Sequence, residues 1–167
     1  MEQSANSPQH SDQPSVPSIL IIDDNPNNLG VLVEQLETRG YHMLVAQDGE
    51  EGISRATRVQ PDLILLDILM PGIDGYETCR RLKSYDRTRH IPVIFMSALH
   101  DVEDKVAGLQ AGAVDVISKP FQIEEVEARI NVHLQLRQLQ EQLAEKVEAL
   151  EQQSKDRQQA ELQQQQA

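Results

Sequence analysis

The sequence predicts an α/β fold, a doubly wound five-stranded parallel sheet in a three-layer sandwich, and three observations carry that prediction. From Ser18 onward, short apolar runs alternate five times with segments of helical periodicity. The best defined runs end abruptly in charge or polarity: Ile19-Leu20-Ile21-Ile22 in Asp23-Asp24, Leu63-Ile64-Leu65-Leu66 in Asp67, and the run from Val114 to Ile117 in Ser118-Lys119. Such runs read as strands buried on both faces. The connections are short, so the strands run parallel and helices cover both sides of the sheet.

Taken in order, the strands are expected near residues 18–22, 42–46, 62–66, 91–95 and 113–117. The helices are expected near 26–39, 49–59, 74–84, 101–111 and from 122 onward. Asn25-Pro26 is an N-cap followed by proline at the first helical position. Leu29, Leu32, Val33 and Leu36 then form an apolar stripe that Gly40 brings to a stop, and Gly112 ends the fourth helix in the same way. Residues 1–17, rich in Ser, Pro, Gln and Asn, cannot bury enough surface to offset their ordering entropy and are expected to be disordered.

The fifth helix should outrun the domain. From Gln122 to Leu150 there is neither Gly nor Pro, and Val132, Leu136, Leu139, Leu143, Val147, Leu150 and Ser154 follow spacings of 4, 3, 4, 4, 3 and 4. That is a coiled-coil seam with an eleven-residue interruption. The chain therefore divides into a domain at 18–135 and a helical coiled-coil extension at 136–167. The extension is expected to fray past Leu150, where apolar positions fade and glutamine accumulates. An isolated helix of this kind is marginal in water, so it calls for a partner, here its own copy in a parallel homodimer.

Composition excludes several function classes. A formal charge of −12 leaves no basic face for nucleic acid or an anionic membrane. Residues 18–135 carry 19 acidic against 11 basic side chains, so the acidity lies mostly on the domain itself. No apolar run approaches the roughly 18 residues a span requires, and the amino terminus lacks the basic and apolar regions of a secretory signal. The single cysteine, Cys79, cannot form an internal disulfide, and this fits a reducing cytoplasm. With Tyr76 and Leu82 at spacings of three, it reads as a core thiol. The five histidines show no metal-ligand spacing, and there is neither a Gly-rich phosphate loop nor a dinucleotide fingerprint.

In an open α/β sheet the carboxyl ends of the strands line one crevice, where ligands bind. Asp23, Asp24, Asp67 and Lys119 meet there, and three carboxylates beside one ammonium repel unless a divalent cation joins them. Oxygen-rich sites of this type suit Mg²⁺, which shares its shell with phosphate. The pattern points to a metal-dependent phosphoryl acceptor.

With Ser97 after the fourth strand, the Met70-Pro71-Gly72 turn and the Lys119-Pro120-Phe121 ending added, the chain resembles the receiver (CheY-like) domains of bacterial response regulators. The resemblance covers roughly residues 18–135. It implies the flavodoxin-like strand order 2-1-3-4-5, and it implies roles. Asp67 would be the phospho-acceptor, and Asp24, Asp67 and the Leu69 backbone carbonyl would hold Mg²⁺, with Asp23 acting through a metal-bound water. Lys119 and Ser97 would contact the phosphoryl oxygens. The donor would be a histidine kinase or a histidine phosphotransfer protein. The product is then a regulatory switch rather than an enzyme. The family pattern is broken at Val116, where an aromatic residue usually stands, and at Leu69 and Leu99, where polar side chains can position a hydrolytic water. Slow self-dephosphorylation is the expectation. The output stays open between a longer protein with an output domain and a complete adaptor whose coil binds a partner directly. A metal-dependent phosphatase is a third class, disfavoured because Asp67-Ile68-Leu69 lacks a second aspartate.

Overall fold

The computed structural model describes residues 15–98 and 102–166. Five parallel strands, β1 (Ser18–Ile22), β2 (His42–Ala46), β3 (Leu63–Asp67), β4 (Val93–Ser97) and β5 (Asp115–Ser118), form one sheet in the order β2-β1-β3-β4-β5. The doubly wound expectation and its strand order are both met. The helices are α1 (Pro26–Thr38), α2 (Gly49–Val59), α3 (Gly75–Ser84), α4 (Val102–Gln110) and α5 (Ile123–Gln165).

Alternation along each central strand divides the core in two. Ile19, Ile21, Leu63, Leu65, Ile94 and Met96 face α1 and α5, packing on Leu29, Leu32, Leu36, Val126 and Ile130. Leu20, Ile22, Ile64, Leu66, Val93 and Phe95 face the other way, onto Ala56 of α2 and Cys79 and Leu82 of α3. Because both faces are covered, β1, β3 and β4 are apolar except at one end residue each rather than alternating with polar residues. Cys79 lies fully buried in this second layer, and burial pushes its thiol up to about 11.

Strand boundaries shift from the expected ones for local reasons. β3 begins at Leu63 because the Asp62 side chain turns back to accept from the Ser18 N–H at 2.8 Å. β4 begins at Val93, after Pro92, which has no N–H to give a ladder. β5 begins at Asp115 because the Ala113 N–H still bonds the Gly108 carbonyl and closes α4. The chain leaves α4 through Gly112 at φ +109°, a conformation that glycine adopts without strain. The expected cap of α1 is present: the Asn25 side chain accepts from the Asn27 N–H at 3.0 Å, with Pro26 at the first turn.

α5 is a single helix of 43 residues, on the order of 65 Å long. It is helical through the Gln-rich stretch past Leu150. Gln is a good helix former, and neither Gly nor Pro interrupts the chain after Pro120. Its first four turns are tied to the domain at several points. Glu127 pairs with Arg39 at 3.1 Å, and Asn131 accepts from the Tyr41 hydroxyl at 2.6 Å. Arg129 and His133 both meet the Asp115 carboxylate, at 2.8 and 3.0 Å. Arg137 donates to the Asp62 carbonyl at 2.7 Å. The expected disorder of residues 1–17 falls almost wholly outside the described residues.

Candidate functional site

Sheet geometry explains why the predicted residues converge. Asp23 and Asp24 follow β1, Asp67 closes β3, Ser97 closes β4 and Lys119 follows β5, so all stand at the carboxyl edge of neighbouring strands. One carboxylate oxygen from each of Asp23, Asp24 and Asp67 lies within 4.8 Å of the others. Asp23 and Asp67 are buried, whereas Asp24 is exposed and forms the open side of the cluster.

Lys119 Nζ stands 3.2 Å from Asp67 Oδ1 and 3.6 Å from Asp23 Oδ2. Its stem runs beside the Phe121 ring, with Nζ 6.0 Å from the ring centroid. The Lys119–Pro120 peptide is cis, and the Lys119 N–H donates to the Ser97 carbonyl at 2.7 Å. That bond fixes the end of β5 against the end of β4. Ser97 itself is buried at the strand end, next to the edge that carries Asp67. Leu69 lies two residues past β3 with its side chain exposed. Leu99 lies outside the described residues.

Electrostatics follow from this crowding. Burial and then the Asp23 charge push the Asp67 carboxyl above the usual carboxylate range, while Lys119 acts against them. One ammonium cannot balance three carboxylates, so the cluster carries surplus negative charge. A small divalent cation with oxygen preference fits that donor set.

Two supporting elements were not legible in the sequence. The Asn25 N–H donates to Asp23 Oδ1 at 2.9 Å and orients that carboxylate; the signal was only a turn-like Asp-Asn-Pro. Gly75 opens α3 directly against the end of β3, where a Cβ would collide with the Asp67 carbonyl. Its N–H also donates to the Ile68 carbonyl at 2.7 Å. A glycine at a helix start has many uses, so this close approach leaves no readable trace.

Residues 19–131 match the response regulator receiver domain family. The chain belongs to that family. It is a receiver domain of two-component signalling, a regulatory module. The DNA-binding dual master transcriptional regulator RpaA of Synechocystis is 43% identical over 119 residues, which span 71% of this chain and 49% of that protein. The response regulator PleD of Caulobacter vibrioides is 43% identical over 103 residues, 62% of this chain and 23% of that protein. The chain thus spans about half the length of RpaA and less than a quarter of PleD.

Solved receiver structures superpose closely. A response regulator from Chloroflexus aurantiacus gives a TM-score of 0.70 at 34% identity, covering 72% of this receiver and 98% of that chain. The receiver domain of the sensor histidine kinase PA1611 of Pseudomonas aeruginosa gives 0.68 at 31% identity, covering 72% and 98%. That second structure has a magnesium ion coordinated in its active-site cleft. Among the described residues, no helix of the present receiver is long and apolar enough to cross a membrane.

Proposed function

We propose that Asp67 is the phospho-acceptor of this receiver, charged by the phosphohistidine of a histidine kinase or histidine phosphotransfer protein. The supporting observation is the Asp23–Asp24–Asp67 cluster facing Lys119 at one sheet edge. An Asp67 carboxylate oxygen attacks phosphorus, the bond from phosphorus to the donor's imidazole nitrogen breaks, and an acyl phosphate remains. Asp24, Asp67 and the Leu69 carbonyl would hold Mg²⁺, with Asp23 beside them. When bound, the cation offsets the carboxylate repulsion and the negative charge of the phosphoryl oxygens. Lys119 exchanges its contact with Asp67 for one with a phosphoryl oxygen, and the Ser97 hydroxyl donates to another.

The new charge biases the domain between two conformations, and typical couplings of about 1–3 kcal/mol are enough to shift their populations. α5 carries that shift outward, with residues 136–167 as the coiled-coil extension of a parallel dimer. The greater length of the curated relatives supports an output domain further along a longer protein. Beryllofluoride with Mg²⁺ stands in for the phosphoryl group and tests the site directly. Stoichiometric binding by calorimetry, lost on Asp67→Asn and weakened at least tenfold by Lys119→Ala, is expected. Equal binding by wild type and Asp67→Asn would remove Asp67 from the role.

A further inference from the structure

Past Ile130 none of the described residues of α5 is buried, and the seam residues Val132, Leu136, Leu139, Leu143, Val147 and Leu150 stand 45–63% exposed. Their spacing keeps them in one stripe along the helix. The flanks of that stripe are nearly free of charge. Gln135, Gln142 and Gln153 border one side and Gln140 and Gln158 the other. The exceptions are Lys146 on the first flank and Glu151 on the second, five residues apart around the Val147–Leu150 turn.

Lys146 has no acidic neighbour on its own helix, because the positions three and four away are Gln142, Leu143, Ala149 and Leu150. Arg137 and Arg157, in contrast, pair within the helix with Glu141 and Glu161 at 3.0 and 3.5 Å. Arg157 and Glu161 also sit where the seam would continue, so close packing ends near Ser154. Flanking residues five apart face each other in a parallel, in-register pair of helices, whereas antiparallel helices bring each flank against itself. Only the parallel arrangement brings Lys146 to a carboxylate.

We propose that the occupant of this stripe is a second copy of the chain, parallel and in register, with Lys146 of each copy paired to Glu151 of the other. This rests on the parallel dimeric reading of the coil given above and adds its register and the charge pair that sets it. The test uses the full chain in Mg²⁺ and beryllofluoride, so that a dimer formed only in the activated state is also counted. Sedimentation equilibrium should find self-association about tenfold weaker in Lys146→Glu and in Glu151→Lys, each of which sets like charges opposite one another. The double exchange should restore it to within about twofold, and mixing the two single variants should give a heterodimer. Ser154→Cys should form an intersubunit disulfide on mild oxidation. Dimers indifferent to both exchanges, or no disulfide at position 154, would overturn the register and leave the dimer standing. A wild-type monomer that still binds beryllofluoride would overturn the pairing and the dimeric coil together, leaving the phospho-acceptor reading intact.

Discussion

At the residue scale the site is an arrangement of repulsions held in place by the sheet. Asp67 is ionised at some cost, since burial and Asp23 both favour its protonated form. A folded carboxyl raised in this way keeps a proton that the unfolded chain has already released. Metal-free stability therefore falls as pH rises from the unfolded value of 3.8 through the raised one. Asp67→Asn should abolish that slope and raise the neutral-pH melting temperature in EDTA by roughly 3 °C. Thermal unfolding against pH reads both effects, and a variant that melts lower with the slope unchanged would contradict the electrostatic reading. Asp115 has the opposite sign. Its own burial acts upward but is outweighed by hydrogen bonds from His133 and Arg129, which lower it. Its stabilisation is lost only as pH falls below 3.8. Leu69 bears on lifetime: an exposed leucine cannot orient an attacking water. Leu69→Asn should shorten the acyl-phosphate half-life several-fold, measured by loss of labelled phosphate in Mg²⁺. A wild-type half-life of seconds would contradict the slow-decay expectation. The acidic residues and Lys119 were legible because charge closing an apolar run stands out. Asn25 and Gly75 were not, because backbone donors and close approaches have no side-chain signature.

At the scale of elements, boundary residues were the weakest part of the sequence reading, and two of the shifts have a named contact behind them. Asp62 left β3 to serve Ser18, and Ala113 left β5 to close α4. Val116 is partly buried against the layer that contains Phe95, and Tyr76 of α3 meets Phe95 edge-on, with ring centroids 5.5 Å apart. The aromatic neighbour of β4 in this layer is thus supplied by α3, a contact that helical spacing around Cys79 could not assign. α5 depends on its ties for a fixed direction. Arg137, largely shielded from solvent, bonds the Asp62 carbonyl and also pairs with Glu141. Arg137→Ala should cost about 1–2 kcal/mol and speed amide exchange across the turn around residues 134–138. Unchanged exchange there would show that the apolar contacts of Val126 and Ile130 suffice to hold the helix.

At the scale of the whole molecule, a covered parallel sheet presents one chemically competent edge, and a single long helix runs from that same domain outward. The fold was readable almost completely, because alternating apolar runs and capped helices agree at every level. The reach of α5 was readable from the absence of Gly and Pro, and the helix runs to Gln165. Whether the edge performs phosphoryl chemistry is decided by treating the full chain with acetyl phosphate and Mg²⁺ and mapping the adduct by intact and peptide mass. One acid-stable, hydroxylamine-sensitive phosphoryl group on the peptide containing Asp67, absent in EDTA and in Asp67→Asn, is the predicted result. No adduct in Mg²⁺, or one that persists in Asp67→Asn, would contradict it.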